Sequence, residues 1–136
     1  MKVAIVGTSV NLSEGEERDV RQYIGMVLNK HDRHNDIIIS GGSKGVDTTV
    51  FEIAESLGFK IELYKPTIES WEYYKERNIL IAKNCDELYC ITVPTHRRKC
   101  YHHDKPQDHE KTAGCWTLKQ AKLLGKECKL LVTPRR

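Results

Sequence analysis

The stretch from Ile37 to Asp47 constrains this chain more than any other. A β-branched run, Ile37-Ile38-Ile39, meets Ser40-Gly41-Gly42-Ser43-Lys44-Gly45, and directly after it Val46, Val50, Ile53, Ala54 and Leu57 recur at helical spacing. The pattern reads as a strand, a tight loop and a helix. Glycines in such a loop let the backbone take positive φ and approach a ligand closely. The first unpaired N–H groups of the helix then face whatever sits there, and an anion is the natural occupant. Glycines that only turn the chain from strand to helix would carry the same residues, so the rest of the sequence has to decide.

The remainder repeats the unit. Lys2 to Val6 is an apolar strand that ends in Gly7-Thr8-Ser9. Ser13 and Glu16 have the spacing of a capping box, and Val20, Ile24, Val27, Leu28 and His31 follow on one helical face. His31 and His34 read as surface residues of the polar loop after that helix. Gly58 is a helix stop, and Lys60 to Tyr64 a third strand. Glu69 to Asn84 has helical character, with Tyr73, Arg77, Leu80, Ile81 and Asn84 near one stripe. Asp86 to Val93 is a fourth strand. Gly114-Cys115-Trp116-Thr117 opens a last helix through Leu124, Gly125 stops it, and Glu127 to Val132 is a fifth strand. Cys85, Cys90 and Cys128 lie beside apolar strand residues and read as small core groups.

Strands alternating with helices call for a parallel sheet covered on both faces. The expected fold is α/β, a Rossmann-like three-layer α/β/α sandwich with a five-stranded parallel sheet. One domain spans residues 1–136, with a His/Cys-rich insertion at 94–113. The carboxyl ends of parallel strands share one edge, and ligands bind outside it near the switch in strand order. Gly7, Thr8 and Ser9, the Gly41-Gly42-Ser43-Lys44-Gly45 loop, and Gly114 to Thr117 are each placed at such an end. Three small-residue loops on one edge favour a phosphate-bearing small molecule.

Composition removes several function classes. A length of 136 residues suits one domain, and 39% hydrophobic with 30% charged residues describes a globular protein. No apolar run approaches the roughly 20 residues of a membrane span, and the start is too short for a signal peptide, so a cytoplasmic setting is expected. The formal charge of +3 is small, with basic residues clustered only in Arg97-Arg98-Lys99 and Arg135-Arg136. Nucleic-acid binding is permitted but not indicated. Five cysteines, an odd number, argue against a disulfide framework.

Single residues carry two readings each. Backbone N–H groups of Gly42, Ser43 and Gly45 are suited to phosphate, with Lys44 adding a point charge. Asp47 is placed to receive backbone hydrogen bonds or a ribose hydroxyl, or to serve only as a helix-start carboxylate. Arg77 is suited to hold phosphate oxygens bidentately, or to lie on a solvated helix face; Asn78 directly follows it and is grouped with the site. Thr117 either donates its hydroxyl to a ligand or caps its helix. The insertion holds four of the six histidines, and Cys100, His103, His109 and Cys115 form the pattern C-x2-H-x5-H-x5-C. A tetrahedral structural zinc would be satisfied by that set and would order a loop with little apolar material. Without metal the same segment is a solvent-exposed His-rich loop.

These residues resemble the SLOG superfamily, the Rossmann-like group of Lonely Guy phosphoribohydrolases, DprA and YspA-like proteins. The likeness lies in Ile39-Ser40-Gly41-Gly42-Ser43-Lys44-Gly45-Val46-Asp47-Thr48, in Arg77-Asn78-Ile79-Leu80-Ile81-Ala82, and in Gly114-Cys115-Trp116-Thr117. It implies a five-stranded parallel sheet and a nucleotide or nucleotide-derived ligand, with Trp116 beside Thr117 in its site. Some SLOG-like sequences are also similar in a Cys-Tyr-His-Cys run and a later His-x-Lys-x-Gly-Gly-Cys-Trp-Thr run. Lonely Guy enzymes carry a Pro-Gly-Gly-x-Gly-Thr-x-x-Glu motif whose Glu is linked to N-glycosidic cleavage. Aligning its Thr with Thr117 puts Gln120 where that Glu belongs, and Gln supplies neither base nor negative charge. Glu72 and Glu76 are the substitutes on the preceding helix.

The leading expectation is therefore a nucleotide-binding module that senses, carries or sequesters its ligand. A nucleoside-monophosphate N-glycosidase and a DprA-like single-stranded DNA binder are the alternatives. SLOG-like domains often dimerise, so a homodimer is expected, with Trp71 and Tyr74 available either for that contact or for core packing.

Overall fold

The computed structural model describes residues 1–8, 11–43, 45–66, 68, 70–93 and 113–134. Five strands, β1 (Lys2–Gly7), β2 (Ile37–Ser40), β3 (Lys60–Leu63), β4 (Glu87–Thr92) and β5 (Glu127–Val132), form one sheet in the order β3-β2-β1-β4-β5. Every neighbouring pair is parallel. The helices between them are α1 (Glu14–Leu28), α2 (Val46–Ser56), α3 (Trp71–Asn84) and α4 (Ala113–Leu123). The expected Rossmann-like three-layer architecture is thus the observed one.

The alternation of side chains along β1 explains the two layers. Val3 and Ile5 face one way, and pack with Val20, Ile24, Val27 and Leu28 of α1 and Val46, Val50 and Ala54 of α2. Ala4 and Val6 face the other way, onto Ile81, Ala82 and Cys85 at the end of α3 and Cys115, Leu118 and Ala121 of α4. All of these side chains are at most 4% exposed. Ser13 caps α1 through the expected box: its hydroxyl accepts from Glu16 N–H at 3.3 Å while its own N–H donates to Glu16 Oε1 at 2.8 Å. Since the chain builds outward from β1 through β2 to β3 and then returns to β4, strand order reverses between β1 and β4. A parallel sheet of this kind opens a crevice at that point.

Three expectations need correction. On α3 Arg77 and Ile81 of the expected stripe are buried, with Asn78, Ala82 and the C-cap Cys85 beside them, whereas Leu80 is 52% exposed and Asn84 is exposed. The sheet meets the helix one residue further round at Asn78 and Ala82, in place of Leu80 and Asn84. His31 is not a surface residue, since its side chain is only 5% exposed. Its Nδ1 lies 2.7 Å from Val27 O and its Nε2 3.1 Å from Glu87, with the ring edge-on to Tyr89. His34 is exposed as expected. Cys85 and Cys90 are core groups, but Cys128 is only half-buried. The insertion at 94–113 lies outside the described residues except for Ala113, which belongs to α4. No helix among the described residues is long and apolar enough to cross a membrane.

Candidate functional site

At the carboxyl end of β1 the chain comes so close to its neighbours that only glycine fits. A Cβ on Gly7 would run into the carbonyl of Ile91 and come within 2.9 Å of Val46 Cγ2. A Cβ on Gly114, in the first turn of α4, would lie 2.7 Å from the backbone of Gly7. Thr8, fully buried, fastens the junction. Its N–H donates to Ile91 O at 3.2 Å, its carbonyl accepts from Val46 N–H at 3.0 Å, and its hydroxyl accepts from Val93 N–H at 2.9 Å. Thr8 is therefore a strut between strands and helix, while Ser9 lies outside the described residues.

The glycine loop after β2 has the expected positive φ, 72° at Gly42 and 81° at Gly45, the latter being the N-cap of α2. Its amides, however, are directed differently from the sequence expectation. Gly42 N–H donates to Ser40 Oγ at 3.5 Å and Ser43 N–H to Asp47 Oδ2 at 3.2 Å. The loop closes on its own chain because a carboxylate follows it by four residues and reaches back, as Asx side chains do near helix starts. Of the amides expected to hold phosphate, two already have internal partners. Lys44 lies outside the described residues.

Arg77 crosses from α3 to brace this loop. It is 6% exposed, and its Nη1 donates to the carbonyl of Gly41 and to Tyr64 O at 3.3 Å. Its Nη2 reaches Ser43 Oγ at 3.4 Å, its Nε donates to Asn78 Oδ1 at 2.7 Å, and the Tyr74 ring lies 5.3 Å from its Cζ. A Cβ on Gly41 would collide with the guanidinium and come within 2.9 Å of Asp47 Oδ2, so Gly41 is what lets both charged groups pack over the loop. Burial lowers the guanidinium pKa, and Asp47 opposes that shift. Burial pushes the Asp47 carboxyl up to about 6, against the opposing pull of Arg77 and the Ser43 hydrogen bonds.

Two atoms in this assembly have no partner. Asp47 is 6% and Asn78 2% exposed, yet Asp47 Oδ1 and Asn78 Nδ2 make no hydrogen bond. Both residues line a narrow cleft with about 10 Å³ of room, enough for one water, together with Val6, Gly7, Ser43, Arg77, Ile81, Gly114 and Thr117. The cleft lies at the β1/β4 reversal, between the starts of α2 and α4 and the middle of α3. It thus gathers residues from all three stretches singled out in the sequence. Trp116 and Gln120 are half-buried on α4 and are not part of its lining. Glu72 is exposed and also outside it, while Glu76 lines a second hollow on the other side of Arg77, with Tyr64, Pro66 and Tyr73.

Sequence reasoning missed Tyr64 and Tyr74. Tyr74 stands three residues before Arg77, and that helical spacing alone places it beside the guanidinium. The Tyr64 contribution is a carbonyl, which no residue type announces. As for metal, Cys100, His103 and His109 lie outside the described residues. Cys115 is fully buried in the apolar cluster with Ala4, Val6 and Cys90. Among the described residues no cluster of three or more His, Cys, Asp or Glu side chains is placed to hold a metal.

No family model matches this chain, and neither does any curated protein. A solved structure does. The crystal structure of TM1055, a target of the Northeast Structural Genomics Consortium, superposes on 93% of this chain and 71% of its own with a TM-score of 0.63. At 21% sequence identity the likeness is one of fold, and that fold is Rossmann-like.

Proposed function

We propose that this chain is a SLOG-like module that binds a nucleotide or nucleotide-derived ligand over the carboxyl edge of the sheet, at the mouth of the β1/β4 cleft, to sense, carry or sequester it. The observation that carries the reading is the pair of buried, unpartnered atoms, Asp47 Oδ1 and Asn78 Nδ2, on residues lining one cleft at the reversal of strand order. Buried polar groups without partners are rare in folded proteins, and beside a cleft they are met by a water or by a ligand's polar groups. The first turn of α4 at Gly114 supplies the electropositive helix end that a phosphate prefers. Mass spectrometry of the natively purified chain tests the reading: a retained nucleotide supports it, and a ligand-free chain that no nucleotide stabilises on heating refutes it.

A second reading, N-glycosidic hydrolysis, draws on one observation. A buried carboxyl in the cleft, with its pKa raised to about 6, is of the kind general acid–base catalysis uses, and would stand in for the carboxylate absent at Gln120. Release of free base from nucleoside monophosphates, lost in Asp47→Asn, is the expected sign. The zinc set stands as a separate proposal, with about one equivalent of zinc expected in the purified chain and less in Cys100→Ser.

A further inference from the structure

The hollow on the other side of Arg77 has far more room than the cleft. It lies between the carboxyl end of β3 and α3 and holds about 270 Å³, against about 10 Å³ in the cleft. A cavity of about 150 Å³ takes a benzene ring, so this hollow admits a two-ring heterocycle. Its walls suit a flat ring: Tyr64, Pro66 and Tyr73 are half-buried, and Leu80 keeps 52% of its surface exposed there. Lys65 and Glu76 line it as well, and neither has a hydrogen-bond or ion-pair partner among the described residues. The stem of Lys65 packs against the glycine loop, where a Cβ on Gly42 would lie 3.2 Å from both Lys65 Cγ and Cε. The hollow is thus continuous with that loop.

Two opposite charges in an apolar hollow select among rings. A carboxylate only accepts and an ammonium only donates, so the matching ring presents donors on one edge and acceptors on the next. Of the standard nucleobases, guanine alone has two adjacent donors, N1–H and N2–H₂, and its O6 and N7 are the acceptors that Lys side chains read. Adenine turns an acceptor, N1, toward the position where guanine has a donor. We propose that this hollow holds a guanine base, with the Glu76 carboxylate accepting from N1–H and N2–H₂ and Lys65 donating to O6 and N7. The inference rests on the nucleotide reading above and supplies the base that reading leaves open. In the sheet order β3 is two strands from β1, about 10 Å at ordinary strand spacing, and Arg77 lines both the hollow and the cleft. One extended nucleotide therefore reaches from the hollow to the mouth of the cleft.

Calorimetric titration of the full chain with the monophosphates of guanosine, adenosine and inosine, and with inorganic phosphate, decides the matter. The guanosine nucleotide is expected to bind at least about tenfold more tightly than the adenosine one, and also than the inosine one, which lacks the 2-amino group. In Glu76→Gln, shown folded by circular dichroism, both preferences fall to within about twofold. Equal affinity for the three nucleotides, or tighter binding of adenosine monophosphate, overturns the guanine assignment and leaves the nucleotide reading standing. A guanine preference undiminished in Glu76→Gln overturns the hollow as its source. Binding of inorganic phosphate alone, or of nothing, overturns both.

Discussion

Two carboxylates at opposite edges of the sheet are perturbed in opposite directions. At the amino edge Asp36 accepts from the backbone N–H of Asp32 at 2.8 Å and from the Met1 amino group at 3.0 Å, and these hold its pKa below the ordinary value. At the carboxyl edge Asp47 is buried with one oxygen unpartnered, and its pKa is raised. The same contrast runs along both edges. At the amino edge Lys2 N–H donates to Asp86 at 2.7 Å, and His31 and the Tyr89 hydroxyl both meet Glu87. Near the carboxyl edge lie Asp47 Oδ1, Asn78 Nδ2, Thr92 Oγ1 and Thr133 Oγ1, the buried side-chain atoms without partners among the described residues. The polar groups named at the amino edge have internal partners, whereas these four atoms at the carboxyl edge have none.

The largest expected effect is at the brace. Arg77→Ala removes the bonds to Gly41, Tyr64, Ser43 and Asn78 and leaves Asp47 without its facing charge, so a loss of about 3–5 kcal/mol in denaturant unfolding is expected. A loss below about 1 kcal/mol would mean that the loop does not depend on it.

Next comes pH. The folded pKa of Asp47, about 6, exceeds its ordinary 3.8, so its contribution to stability is fully present below about pH 4 and is lost as pH rises through 6. At about 1.4 kcal/mol per pKa unit, the wild-type chain should lose about 3 kcal/mol relative to Asp47→Asn between pH 4 and pH 7. Asp36 works in the opposite sense, since its lowered pKa stabilises above 3.8 and is lost on acidification. Parallel stability curves for wild type and Asp47→Asn would remove the proposed difference between the edges.

Of the amino-edge groups, His31→Ala should cost about 2 kcal/mol by leaving Val27 O and Glu87 short of a partner, without changing ligand affinity. Altered affinity in that variant would show that the edges are not separable. Ser13→Ala, which breaks the capping box far from the cleft, is expected to cost about 1 kcal/mol in thermal unfolding and to leave binding intact.

Much of the architecture was legible because period and punctuation agree. The β-branched runs, the Ser13 and Glu16 spacing and the glycine stops at Gly58 and Gly125 place strands and helices within a residue or two of where they lie. Legibility failed where a polar residue took an inward position. On α3 the expected stripe holds at Arg77 and Ile81 and fails at Leu80, because Asn78 takes an inward position that a polar residue on a helix does not announce. His31 was misplaced for the same reason, its partner Glu87 being 56 residues away. Seven of the nine residues lining the cleft, all but Val6 and Ile81, stand among the site residues the sequence suggests, but its polarity does not follow from them. Whether a loop amide faces a ligand or the Asp47 carboxylate is set by a turn of the backbone that composition does not encode.

The most direct test is an amide chemical-shift map of the isotopically labelled chain on addition of the ribonucleoside monophosphate that binds. The account predicts shifts at Gly7, Ser43, Asp47, Asn78 and Gly114, with Asp36, Asp86 and Glu87 unmoved. Shifts centred on the amino edge, or none at saturating nucleotide, would contradict it.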